Sequence, residues 1–309
     1  MTGKVLITGV CGFCARHLVK RLSAEGVSNI HGADMYPFAS AKLSVQSYYK
    51  MDITKESEVN ELVRSIRPDV VFHMAGINKG NPSEIYQINF LGSVYLLEAI
   101  RKFAPQSRVL MVGSAAEYGH IPEVNLPVRE SDPCKPVGPY GIAKYAMTLT
   151  ALDYVRNHSL KVVVARPFNI VGEGINSSLL VGEILGRVKM SLQEGGKPVT
   201  VAVGNLETER DFVAVGDVID AYITLMQGDY WGEVFNICSG KPRSVRSVLE
   251  LLLANSAIPI HLKVDPVLVR PTDTLRSFGS IDKGRRYFGF VPKVPIRTVL
   301  KAAWDEAMG

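Results

Sequence analysis

Tyr140 and Lys144 stand four residues apart in the run Gly138-Pro139-Tyr140-Gly141-Ile142-Ala143-Lys144. In a helix that spacing stacks both side chains on one face, where an ammonium favours ionisation of the phenol. A phenolate is a base, and its conjugate phenol is a proton donor. Taken singly, such a pair is a common solvated helix face, and Ser114 is an ordinary turn residue at a strand end. Taken together they read as a proton-transfer set: Tyr140 moves the proton, Lys144 lowers the phenol from its usual value near ~10, and Ser114 fixes a carbonyl by hydrogen bonding.

What these groups act on is indicated by the start of the chain. Lys4-Val5-Leu6-Ile7-Thr8 reads as a buried strand, Gly9-Val10-Cys11-Gly12-Phe13-Cys14-Ala15 as a turn, and His17 to Leu22 as a helix with one apolar side. The loop is a G-x-x-G-x-x-A variant of the dinucleotide fingerprint, in which small residues let backbone approach a pyrophosphate at a helix N-terminus. Asp34 closes a second short strand about 20 residues later, where a carboxylate binds the two ribose hydroxyls of NAD and repels a 2′-phosphate. Met35 and Tyr36 follow it, so no arginine is adjacent to offset that repulsion. NAD(H) is therefore expected in preference to NADP(H). Hydride transfer between a nicotinamide and an oxygen-bearing carbon requires a proton to move at that oxygen, which is the task assigned to Tyr140.

The rest of the chain agrees with an α/β protein. Its 309 residues, 47% of them hydrophobic, suffice for one large or two modest domains. Strands and amphipathic helices alternate: a strand near 47–51, a helix over Glu56–Ile66, a strand over Val70–His73, and a long helix from Pro82 to Phe103. A strand over 108–113, the Tyr140 helix and a strand over 161–165 follow, which implies a parallel sheet covered on both faces. Residues 1–169, with 215–238 returning to them, form the expected dinucleotide-binding domain; 170–214 and 239–309 form an interleaved, mainly substrate-binding part. No apolar run reaches 18 residues, so no membrane span is expected and the chain reads as cytoplasmic. The charge of +5 is too dispersed for a nucleic-acid partner. The four cysteines make no disulfide framework, Cys11 and Cys14 fall inside the phosphate loop, and no metal is expected.

Several motifs in order carry a resemblance to the extended short-chain dehydrogenase/reductase family. They are Thr8-Gly9-x-x-Gly12-Phe13, Asp52-Ile53, Phe72-His73-Met74-Ala75-Gly76, Asn89-Phe90-Leu91-Gly92-Ser93, Gly113-Ser114, Tyr118-Gly119, Tyr140-x-x-x-Lys144 and Arg166-Pro167-Phe168-Asn169. The resemblance implies a Rossmann-type doubly wound sheet, catalysis by Ser114, Tyr140 and Lys144, and cofactor contacts from Gly9, Gly12, Phe13, Asp34, Asp52, Ile53, Ala75, Gly76 and Asn89 as well as from Tyr140 and Lys144. It also implies a homodimer through the long helix and the Tyr140 helix, near whose outer faces lie Leu96, Leu97, Ile100, Met147, Leu149 and Leu152.

Dehydratases of this family carry an acid two positions before the Tyr-Gly pair. Here the stretch is Ser114-Ala115-Ala116-Glu117-Tyr118-Gly119, and Glu117, one position late, should project elsewhere. The substrate half resembles the GDP-mannose 4,6-dehydratase and GDP-4-keto-6-deoxy-D-mannose reductase branch. That resemblance assigns Asn169 and Arg210 to the sugar diphosphate, Arg187 and Lys189 to a guanine nucleotide, and Arg270 and Asp273 to a final Arg-Pro-x-acid segment in which Asp273 binds ribose. The expected activity is reduction of the 4-keto group of a GDP-4-keto-6-deoxy-hexose. A sugar-nucleotide epimerase or dehydrogenase holding NAD tightly stays open, as does a non-catalytic nucleotide-binding regulator on the same fold.

Overall fold

The computed structural model describes residues 2–37, 43–193, 199–269 and 274–309. The chain divides into two compact units: Met1–His120, Glu130–Pro167 and Ile219–Asn236 in one, Ile121–Arg129, Phe168–Val218 and Ile237–Gly309 in the other. Through residue 167 the elements are β1 (Val5–Thr8), α1 (Phe13–Ala24), β2 (Ile30–Asp34), β3 (Ser47–Lys50), α2 (Glu56–Ile66), β4 (Val70–His73), α3 (Pro82–Tyr86), α4 (Gly92–Phe103), β5 (Arg108–Val112), α5 (Gly138–His158) and β6 (Lys161–Pro167). They continue with β7 (Asn169–Val171), α6 (Leu180–Gln193), β8 (Val199–Val203), β9 (Glu209–Ala214), α7 (Val215–Gln227) and β10 (Val234–Ile237). The last are β11 (Pro242–Ser244), α8 (Val245–Leu253), β12 (Ile260–Val264), β13 (Arg276–Ser277), α9 (Asp282–Phe288) and α10 (Ile296–Met308).

The first unit is built on a seven-stranded parallel sheet in the order β3-β2-β1-β4-β5-β6-β10. Val5 of β1 stands opposite both Ile30 of β2 and Val70 of β4, so strand order reverses beside β1. In parallel sheets such a reversal is where ligands bind, at the carboxyl ends of the strands. Leu6, Val71, Val109, Met111, Val162 and Val164 pack with α2, α4 and α5. The alternate residues Val5, Ile7, Phe72, Leu110 and Val163 are equally buried, as period-2 strands covered on both faces require. Leu96, Leu97, Ile100 and Met147, expected near an outer face, are turned inward and fully buried. Their helices spend these residues on the sheet; Leu149 is exposed and Leu152 half-buried.

The helix expected from Pro82 to Phe103 is interrupted by a π turn over Gln87–Leu91. Asn89, fully buried, explains it. Its Nδ2 donates to the carbonyl of Ile85 at 3.0 Å, the acceptor that an α-helical turn reserves for the Asn89 amide, and to Ile77 O at 2.8 Å. A second buried chain joins the ends of β1 and β4. His73 Nδ1 lies 2.7 Å from Thr8 Oγ1, His73 Nε2 lies 2.8 Å from Ser93 Oγ, and Ser93 Oγ donates to Asn89 O at 2.9 Å. The Ala75 amide donates to Thr8 Oγ1. One assignment satisfies all of these bonds: Thr8 donates to Nδ1 of a neutral imidazole, and Nε2–H donates to Ser93.

In the second unit, β9 pairs with β11, β13 and β7, and β8 pairs with β12. Val188, Val201, Phe212, Leu249, Leu300 and Trp304 form its core with α6, α8 and α10. The buried Asp211 carboxylate accepts from Ser239 N at 2.7 Å, Ser239 Oγ at 2.6 Å and Gly240 N at 2.9 Å, fixing the turn before β11.

Burial, aided by the charge of Lys144, holds His73 down at about 3. Its folded value lies below the unfolded value near ~6.5, so the neutral ring contributes stability above that pH and loses it as pH falls toward 3. Urea unfolding from pH 7 to pH 4 should show wild type losing about 3 kcal/mol that His73→Gln does not lose. Parallel pH profiles for the two proteins would contradict the neutral, buried ring.

Candidate active site

β5 ends at Val112, and Gly113 turns the chain so that Ser114 opens a short 3₁₀ turn, Ala115–Glu117. Ser114 Oγ accepts from Ala116 N at 3.2 Å, and Glu117 Oε1 accepts from Ser114 N at 2.8 Å. This reciprocal cap fixes the Ser114 backbone and aims its hydroxyl. α5 begins at Gly138, which takes φ +74°, with Pro139 in its first turn. At Gly141 a Cβ would sit 2.6 Å from Ala116 O, so only glycine lets α5 approach the serine turn this closely. That approach brings the start of the Tyr140 helix against the turn that presents Ser114.

Lys144, one turn further along α5, is buried and donates from Nζ to Val112 O at 2.8 Å. Burial pulls its ammonium down to about 8, opposed by the charge of Glu117. Burial pushes the Tyr140 phenol above its ordinary value, with the Ser114 hydrogen bond pulling the other way. Lys144, expected to lower the phenol in concert with an oxidised nicotinamide ring, is itself desolvated and directed at a main-chain carbonyl.

Glu117 is fully buried beneath this turn, where Oε2 accepts from Arg166 Nε at 2.7 Å and from Thr148 Oγ1 at 2.8 Å. Burial pushes its carboxyl up, while Arg166 and the Ser114 and Thr148 bonds oppose that. The carboxylate ties β6, α5 and the serine turn together and is directed away from chemistry. The catalytic reading of the sequence missed this role for Arg166 and Thr148. The available signal was an arginine directly after the apolar strand Val162–Ala165, a place that demands a buried acid. Arg166→Met should cost about 3–5 kcal/mol by stranding Glu117, and Glu117→Leu/Arg166→Met should recover at least ~2 kcal/mol of that by chemical denaturation. A double variant no more stable than the single would refute the pairing argument.

The glycine loop fits a dinucleotide. Gly9 takes φ +69°, and a Cβ there would lie 2.7 Å from the Ala75 backbone; at Gly12 it would lie 3.0 Å from Gly9 O. α1 starts after Gly12 with no side-chain cap and no acid in its first turn, leaving the helix end suited to a pyrophosphate. Phe13 is buried at that start. Asp34 ends β2, its carboxylate accepting from Cys11 N at 3.0 Å and Tyr36 N at 3.3 Å, so it faces the glycine loop. Gly76 meets Asn89 and Lys144: its Cβ would lie 2.6 Å from Asn89 Oδ1 and 3.3 Å from Lys144 Nζ. Asn89 thus holds the loop after β4 by its bonds to Ile77. Asp52 turns its carboxylate onto Thr54, at 3.0 Å from N and 2.7 Å from Oγ1, and Ile53 packs under Gly92. Burial pushes the Cys11 and Cys14 thiols up, Cys14 to about 12, so neither supplies a thiolate.

Within the second unit, Asn169 of β7 stands opposite Phe212 of β9, two residues from Arg210. The exposed Asn169 donates to Asp211 O at 2.8 Å, and Arg210 Nη1 donates to Glu209 O at 2.9 Å. Arg187 and Lys189 are not brought together. Arg187 pairs with Glu183 at 2.6 Å and donates to Ala202 O, whereas Lys189 donates to Ala307 O at 2.9 Å. Residues two apart on a helix face different sides. Arg270 and Asp273 lie outside the described residues.

Comparisons with known proteins agree with this geometry. The chain is 29% identical over 314 residues to a GDP-6-deoxy-D-mannose reductase of Pseudomonas aeruginosa, covering 99% of this chain and 97% of the relative. It is 29% identical to a GDP-6-deoxy-D-talose 4-dehydrogenase of Aggregatibacter actinomycetemcomitans, with 91% and 89% covered. Similar solved structures include RMD from Pseudomonas aeruginosa complexed with NADPH, with TM-score 0.85, 27% identity and 99% of both chains covered. Another is the Thermus thermophilus UDP-glucose 4-epimerase in complex with NAD, with TM-score 0.86, 26% identity and 99% of both covered. Residues 5–238 match the family described as NAD dependent epimerase/dehydratase, and with the glycine loop and the Ser114, Tyr140 and Lys144 set in place, the chain belongs to that family.

Proposed function

We propose that this chain reduces the 4-keto group of a GDP-4-keto-6-deoxy-hexose, with Tyr140 as proton donor. The observation that carries the reading is the close approach of the Tyr140 helix to the Ser114 turn at Gly141, with Ala115 and Ala116 in that turn and Glu117 locked to Arg166. A reduction needs one donor at the carbonyl oxygen; a dehydration needs a second acid or base that these alanines cannot supply. A bound reduced nicotinamide supplies the hydride. Ser114 orients the carbonyl, Tyr140 gives its proton to the oxygen, and Lys144 stabilises the resulting phenolate and retains donors for a ribose hydroxyl. Gly9, Gly12, Phe13, Asp34, Asp52, Ile53, Ala75, Gly76 and Asn89 are the proposed cofactor shell; Asn169, Arg210, Arg270 and Asp273 the proposed diphosphate and ribose contacts. The likeness to GDP-sugar enzymes supports the guanine assignment more than Arg187 and Lys189 do, since both are bonded within their own unit.

Asp34 supports NAD(H) over NADP(H), and with the likeness to an epimerase holding NAD it favours a second reading, a sugar-nucleotide 4-epimerase or dehydrogenase. We place the protein in the cytoplasm; no helix among the described residues is long and apolar enough to cross a membrane. We further propose a homodimer through α5, whose Ile142 and Leu149, seven residues apart, are 43% and 49% exposed on one stripe.

With GDP-4-keto-6-deoxy-mannose and reduced cofactor, wild type should form the 4-hydroxy product, and Tyr140→Phe should turn over at least ~100-fold more slowly while binding cofactor normally. Near-full activity in the Phe variant would refute the proton route; interconversion of 4-epimers without net cofactor oxidation would select the second reading. In calorimetric titrations NADH should bind more tightly than NADPH, and GDP more tightly than UDP or dTDP by about tenfold, or about 1.4 kcal/mol. Equal affinities would remove Asp34 or the guanine assignment, respectively, from the argument.

A further inference from the structure

A pocket of about 600 Å³ in the second unit shares no residue with the proposed reaction. Lys241, Arg243, Lys293 and Arg297 line it, and Asp217 is its sole carboxylate. That carboxylate is already engaged, accepting from the amides of Lys293 at 3.0 Å and Val294 at 3.1 Å, so it closes the segment before α10. Among the described residues none of the four cations has an ion-pair partner.

Arg243 stands directly opposite Arg210 in the β11–β9 ladder. α10 opens into the same pocket through Pro295, Ile296 and Arg297, with no side-chain cap and no acid in its first turn. Its positive end adds to the side-chain field. Ser239 also lines it, with its hydroxyl committed to Asp211 at 2.6 Å. Ordinary surfaces intersperse the two signs, because gathered like charges repel. Four cations and a helix start around one concavity of small-molecule size form a field complementary to a multiply charged anion.

We propose that this pocket binds a small molecule bearing two or more phosphate groups, at a site separate from the nucleotide and cofactor contacts. Phosphate matches the donor set, since two guanidiniums give forked bonds and two ammoniums give point charges. Lysines and arginines from β11, the turn before it and the start of α10 converge on it, so binding would hold these segments together.

The probe is inorganic pyrophosphate, titrated calorimetrically into protein already saturated with NADH and GDP so that diphosphate contacts elsewhere are filled. Wild type should bind one equivalent, and Lys293→Ser/Arg297→Ser should weaken this at least ~tenfold while leaving NADH and GDP binding unchanged. Arg156→Ser/Lys301→Ser, with the same net charge but altered outside the pocket, should retain wild-type affinity. Absence of saturable binding to the saturated wild type would overturn the proposal, as would an equal loss in the control variant. If GDP itself fails to bind, the same comparison of the three proteins with pyrophosphate alone still tests the pocket, independently of the proposed reaction.

Discussion

The buried contact between Glu117 and Arg166 is the constraint around which the first unit's chemistry is arranged. A fully buried carboxylate is tolerable only when cations and donors saturate it, and here Arg166, Thr148 and the Ser114 amide do so. These partners come from β6, α5 and the turn after β5. Satisfying one charge therefore fixes the relative positions of the strand end that presents Ser114 and the helix that presents Tyr140 and Lys144. The carboxylate is a positioning element for the elements that carry these three side chains.

Close backbone approaches complete the arrangement. Gly141 lets α5 settle against Ala116, Gly9 lets the first loop meet the loop after β4, and Gly76 leaves room for Asn89 and Lys144. Each position is small because a neighbour occupies the volume a Cβ would take. The neutral His73 chain then joins the ends of β1 and β4 from below, so the two strand ends at the strand-order reversal are linked by buried hydrogen bonds. Burial, which builds this scaffold, also pulls the Lys144 ammonium down and pushes the Tyr140 phenol up.

Particular residues show what was legible without coordinates. Val70–Phe72 is an apolar run closed by His73, and Val70–His73 is a strand as expected. Glu56–Ile66 repeats its apolar residues at helical spacing and is that helix. The Tyr140–Lys144 spacing was readable because a helix maps i and i+4 onto one face. The π turn at Asn89 was not, because it results from a side chain competing for Ile85 O. Nor was the inward facing of Leu96 and Met147, since periodicity identifies an apolar stripe and not what covers it.

The sequence by itself determined the alternating α/β order, the glycine loop, Asp34 at the end of β2, and the Ser114, Tyr140 and Lys144 set, because each depends on local spacing or on residue type. Tertiary structure decided the rest. It paired Glu117 with Arg166, separated Arg187 from Lys189, and desolvated Lys144 against a main-chain carbonyl. The physical reason is common to all three: a charged group's partners and its hydration depend on residues distant in the chain, and local spacing carries no record of which of them become buried together.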